Sequence, residues 1–207
     1  MKTSLKIAVA FSLAAITSAC TTESLTRSLP FEAPFTGAEV SENMVTPDFR
    51  VQSLEVIVPE DLTVSEDNTI KPRVDIVWHE DPFGNRYAQV QSVMEEGLRM
   101  GTRTLRGSQP VKVEVELIRF HAQTDRVRYS KIPSEHEIEF YMTVTDARSG
   151  EVIIPARYVN ATFPAFGGEM ALAADIAGIT QRKRITERLS DVIVQELTRP
   201  IPAPATM

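Results

Sequence analysis

The feature that most constrains the fold is a change of apolar period partway along the chain. Apolar and small residues fall at Val90, Val93, Met94, Gly97, Leu98, Gly101 and Leu105, which lie on one face of a helix. Just past Gly107 and Pro110 the spacing becomes strict alternation, with Val111, Val113, Val115 and Leu117 set against Lys112, Glu114 and Glu116. That is a half-buried strand. A one-sided helix handed directly to a one-sided strand must bury both apolar faces together, which calls for a helix layer on a sheet.

The other segments extend this layer. Phe49–Val58 reads as a strand whose alternation changes phase, with Phe49 and Val51 opposite to Leu54, Val56 and Val58; a bulge near Gln52–Ser53 reconciles the two halves. Val74–Trp78 is a short second strand, and Asp81–Pro82 or Asn85 supplies the helix N-cap. Ile138, Phe140, Met142 and Val144 form a further strand, DARSGE turns through Gly150, and Val152–Phe163 returns with Pro155 marking an edge or bulge. Gly167–Gly168 leads into a helical EMALAADIA segment. A second amphipathic helix carries Ile185, Leu189, Val192, Ile193 and Leu197 and stops at Pro200. Gly97 and Gly101 on the apolar stripe predict a backbone held close to its neighbour, read here as the sheet, while Glu95, Glu96, Arg99 and Arg103 exclude burial in lipid. The expectation is an α+β fold: an antiparallel four- to five-stranded sheet with two amphipathic helices packed on one face.

The N-terminus addresses location. Lys2 and Lys6 precede an apolar run from Ile7 to Ile16, and small residues lead to Cys20, the layout of a secretory signal peptide. The run is shorter than the ~18–20 residues of a spanning helix. Cys20 is the only cysteine, so no internal disulfide can form. "ITSAC" resembles the lipobox of bacterial lipoproteins, with Thr17 where that motif usually has leucine. The resemblance implies lipidation at Cys20, three acyl chains on the mature protein, and, with Thr21 rather than aspartate next, an outer-membrane address facing the periplasm. The expected organisation is a signal peptide over 1–19, a lipidated N-terminus and flexible tether over 20–48, one α+β domain over 49–199, and a disordered proline-rich tail over 200–207. A tether of that length spans about 30 Å. It contains PFEAPF, whose Phe31 and Phe35 could dock on a partner.

Removing the leader takes away Lys2 and Lys6, leaving 20 basic residues against 28 acidic ones and a net charge of −8. That balance excludes general nucleic-acid binding. The strand and helix order is similar to that of small envelope lipoproteins, including the lipoprotein partner of the lipopolysaccharide translocon and auxiliary lipoproteins of lipid-transport ABC systems. DPFGNRYAQV and GGEMALAADIAGITQRKRI resemble stretches of uncharacterised alphaproteobacterial lipoproteins. The resemblance implies a membrane partner through the lipid anchor, and an envelope protein or lipid as a further partner. It carries over no functional residue.

The chemical signals are few. DIVWHED places His79, Glu80 and Asp81 where a strand hands over to a helix, with Trp78 as an anchor and Asp81 as a turn or cap residue. The other histidines are His121 and His136; in a simple hairpin pairing Leu117 with Phe140 they lie opposite each other. With His79 and Asp81 they could furnish nitrogen and oxygen ligands for a metal-dependent hydrolase, the alternative to a non-catalytic binding module. No GxSxG elbow and no Walker loop occurs. The expectation is therefore no catalytic, cofactor-binding or metal residue. Two further features have plainer readings: QRKR at 181–184 with Arg188 is a solvated helix face rather than a head-group site, and Asn160-Ala161-Thr162 is a silent sequon.

Overall fold

The structure is a computed structural model that describes residues 43–203. Cys20, the leader, most of the tether and the last residues of the tail lie outside the described residues.

The strands are β1 (Met44–Val45), β2 (Phe49–Ile57), β3 (Ile76–Val77), β4 (Gln109–His121), β5 (Glu135–Asp146), β6 (Val152–Asn160), β7 (Phe163–Pro164) and β8 (Ile201–Pro202). The helices are α1 (Arg86–Thr102), α2 (Asp125–Arg128), α3 (Glu169–Ile176) and α4 (Gln181–Thr198). The main sheet runs β2-β4-β5-β6, with β3 on the same side of β4 as a continuation of β2, and β7 pairing the start of β5.

The α+β class and the two amphipathic helices on one face are as expected, and β4, β5 and β6 form the antiparallel meander. The sheet is nonetheless mixed, because β2 and β3 run parallel to β4. The physical reason is the position of α1 between neighbouring strands: a crossover helix returns the chain to the end it left, and the next strand must then run parallel. The bulge in β2 falls between Val51 and Ser53, as the phase change requires. Pro155 sits in β6, the edge strand, beside irregular register with β5.

One face of the sheet carries Val111, Val113, Val115, Leu117, Phe120, Ile138, Phe140 and Met142, all buried with Val93, Met94 and Leu98 of α1 and Ile185, Leu189 and Ile193 of α4. Trp78 is fully buried and meets Phe120 edge-on at 5.7 Å. The Asn85 side chain accepts from Ala88 N–H at 3.1 Å and so caps α1. Asn85→Ala is expected to cost about 1 kcal/mol in urea unfolding; an unchanged midpoint would show that the cap contributes nothing.

Two expectations are corrected. The close neighbour of Gly97 and Gly101 is α4, not the sheet: a β-carbon at Gly97 would stand 2.8 Å from Leu189 Cβ and from the Thr186 carbonyl oxygen. The strand face is already filled by the branched side chains of β4 and β5, so the small residues serve the helix–helix seam instead. Neither the end of the tether nor the start of the tail is free, because β1 and β8 pair antiparallel, Met44 with Pro202 and Val45 with Ile201. Ile201 also packs against the core. Among the described residues no helix is long and apolar enough to cross a membrane.

Candidate functional site

The residues that looked chemical are mostly engaged in holding elements together. The Trp78 indole N–H donates to Asp81 at 2.7 Å, and Arg182 of α4 donates to the same carboxylate oxygen at 3.1 Å. Glu80 accepts from the backbone N–H of Arg182 at 3.1 Å, placing a carboxylate at the positive N-terminus of α4. Arg86 is buried and donates to both oxygens of Glu66, at 2.6 and 2.8 Å. DIVWHED is thus a joint between β3, α1 and α4, with Glu80 and Asp81 bound within it.

The QRKR stretch is likewise not a solvated face. Arg182 also pairs with Glu96 at 2.9 Å, Arg184 donates to the Pro164 carbonyl and lies over the Phe166 ring at 3.6 Å, and Arg188 donates to the Ala161 carbonyl. The aliphatic stems and planar heads of arginine suit this stacking. In the sequon, the Asn160 side chain is engaged by the Thr162 N–H at 2.9 Å.

The three histidines are not brought together. Leu117 does pair with Phe140, but a bulge between Leu117 and Arg119 adds a residue, so His121 lies opposite Glu137 rather than His136. His136 pairs instead with Phe163 of β7. Adjacent β5 residues point to opposite faces, so the partner of Glu137 and the side chain of His136 lie on different sides of the sheet. His79 sits at the β3–α1 joint with Nε2 buried and without a partner among the described residues. Among those residues no group of three or more His, Cys, Asp or Glu is placed to hold a metal ion.

What remains is a cavity of about 460 Å³ at the end of the sheet. It lies where β4 ends and β5 begins, covered by the loop carrying Ile70 and Lys71 and by α2. Its apolar wall is Ile70, Val127, Ile132, Pro133 and Pro164, and its polar lining includes Lys71, His121, Glu135 and Glu137. The volume is that of a small-molecule site, about 300–1,000 Å³. Gln123 and Thr124 also line it, but their polar atoms are committed: Gln123 donates to Ser134 Oγ and the Phe166 carbonyl, and Thr124 Oγ1 donates to the Thr69 carbonyl.

At the mouth, the Glu137 carboxylate is shared by two cations. Lys71 and Arg119 each bond one oxygen of Glu137, Arg119 at 2.9 Å. Burial works to raise the Glu137 pKa, but the hydrogen bonds and charges of Lys71 and Arg119 outweigh it and hold the carboxyl below its usual range. His121 is 6% exposed, and its Nε2 bonds the Pro72 carbonyl at 3.0 Å. Burial, chiefly, lowers the His121 pKa, assisted by the charges of Arg119 and Lys71 and opposed by the Pro72 bond and Glu137. A carbonyl only accepts, so Nε2 carries the proton and Nδ1 of the neutral ring is an acceptor.

Sequence reasoning missed this cavity. Its walls come from the loop before β3 and the connection between β4 and β5, two segments with no helical or strand period to announce them. The one available signal was Thr124 ahead of Asp125–Arg128, an N-cap pattern that places a short helix in the second of them.

Residues 49–207 match the family of unknown function DUF6778, and the chain belongs to that family. No curated protein matches. Among solved structures, a Xanthomonas campestris protein of family DUF330 is 11% identical with a TM-score of 0.42, over 75% of this chain and 85% of that one. A Caulobacter crescentus CB15 protein, provisionally described as a lipoprotein, is 13% identical with a TM-score of 0.32, over 70% of this chain and 87% of that one. A minor lipoprotein from Acinetobacter baumannii is 12% identical with a TM-score of 0.27, over 74% and 96% of the two chains.

Proposed function

We propose that the protein is a lipid-anchored envelope protein, held in the outer membrane through Cys20 and facing the periplasm, whose folded domain is a non-catalytic binding module. The observation that carries the anchor is Cys20 itself: the chain's one cysteine stands directly behind a leader of basic, apolar and small residues. Two or more acyl chains hold a protein stably on a bilayer, and a tether ending near Met44 would present the domain away from the surface. A binding role is supported by the dispersal of His79, His121 and His136 and by the structural bonds that occupy Glu80 and Asp81. The hydrolase reading would require those side chains to converge. The cavity at the sheet end gives the module a place to bind.

Mass spectrometry of the natively expressed protein tests the anchor. A mature chain that begins at an acylated Cys20 is expected. An unmodified cysteine, or cleavage at another bond, would overturn it. Elemental analysis addresses the module: stoichiometric zinc that disappears in His79→Ala would favour the hydrolase.

A further inference from the structure

We propose that the 460 Å³ cavity binds an uncharged amphiphile: an apolar body seated against Ile70, Val127 and Ile132, with one hydroxyl or amine donor directed to Nδ1 of His121. The inference rests on the binding-module reading and names its ligand class. Three observations carry it. His121 lines the cavity, is more than nine-tenths buried, and has spent Nε2 on Pro72, so its Nδ1 is an acceptor with no partner among the described residues. A ligand that fills the cavity strips water from that acceptor, which is costly unless the ligand supplies a donor in its place. The other deeply buried polar groups of the lining, Gln123 and Thr124, are matched within the protein, so the demand made on a ligand is for one donor. Finally, Glu137 is clamped by both Lys71 and Arg119, and the other lining carboxylate, Glu135, is exposed at the rim, so no unpaired charge lies inside the cavity to select a charged ligand.

Protonation of His121 would convert Nδ1 from acceptor to donor. The groups facing it are Lys71, Arg119 and Glu137, and burial dominates their sum, so the ring stays neutral at neutral pH. Ligand binding therefore holds steady at neutral pH and is lost only in acid, below the ordinary histidine value of 6.5.

The test uses the mature chain from residue 20 with Cys20→Ser, which keeps it off membranes. The probe is N-phenyl-1-naphthylamine, a fluorescent apolar molecule with a single N–H, compared with its N-methyl derivative, which has none. The wild-type cavity should bind the N–H probe about tenfold more tightly than the methylated one. His121→Phe should abolish that preference while leaving apolar binding. Ile132→Trp, at a partly exposed position on the cavity wall, should weaken both probes without unfolding the chain. Equal affinity for the two probes in the wild type, or binding indifferent to Ile132→Trp, would overturn the proposal. Either failure with Cys20 acylated in the native protein removes the ligand class and leaves the anchored module standing.

Discussion

Gly101→Ala lowers the stability of the domain by about 2–3 kcal/mol, against the usual gain from replacing a helix-interior glycine. Alanine favours a helix over glycine by up to ~1 kcal/mol, so an exposed site would move the other way. Gly101 is buried on α1, and a β-carbon there would stand 2.6 Å from Ile193 Cγ2 and closer still to the Ser190 carbonyl oxygen. A side chain can rotate away, but a helix backbone cannot, so α1 must lift off α4. That movement loosens the packing of Leu189 and Ile193, both fully buried at the seam. For a domain of this size the melting temperature should fall by about 5–10 °C. Gly97→Ala meets Thr186 and Leu189 in the same seam, so the double variant should lose less than the two singles together, since the first methyl already separates the helices. Thermal unfolding of the three variants checks this, and a Gly101→Ala protein at least as stable as wild type would show that the helices part freely.

The same seam shows what a sequence can and cannot disclose. The glycines announced a close approach because no other residue type leaves that space, but nothing local says which element approaches. α4 lies some ninety residues further on, and its own stripe of Ile185, Leu189, Val192, Ile193 and Leu197 was legible only as a face needing cover. Local period gave α1, β4, β5 and the bulge at Val51–Ser53, because alternation and its breaks are properties of consecutive residues. Strand direction was less accessible, since an alternating strand reads the same either way along the sheet. The histidine geometry failed on one residue: a simple pairing carried past Leu117 without the bulge that follows it puts His121 opposite His136, when Glu137 takes that place. QRKR misled for a related reason. Composition gives a charge count, whereas the partners Glu80, Asp81 and Glu96 come from another part of the chain. The cavity is the extreme case, assembled from loops that carry no period at all.

His136→Leu should raise stability at neutral pH by about 1–2 kcal/mol, and by more in acid. His136 is fully buried against Phe163, and neither ring nitrogen has a partner among the described residues. Leucine has nearly the same volume and no polar atom to desolvate, so the packing is kept and the unmatched imidazole is removed. The acid effect follows from titration. Burial first, then the positive charges of Arg184 and Arg128, push the His136 pKa down from 6.5 to about 3. The unfolded chain therefore takes up a proton that the folded one refuses, and stability falls as pH drops from 6.5 toward 3. The loss is roughly 1.4 kcal/mol for each pH unit over that window, and nothing above it. Leucine has no such proton to exchange, while His121 and the carboxylates titrate alike in both proteins and cancel in the difference. The stability gap between variant and wild type should thus widen by about 2 kcal/mol between neutral pH and about pH 5. Urea unfolding at the two pH values measures it. A gap that stays constant would mean that His136 takes its proton in the folded state, and a variant weaker than wild type at neutral pH would mean that its nitrogens are matched after all.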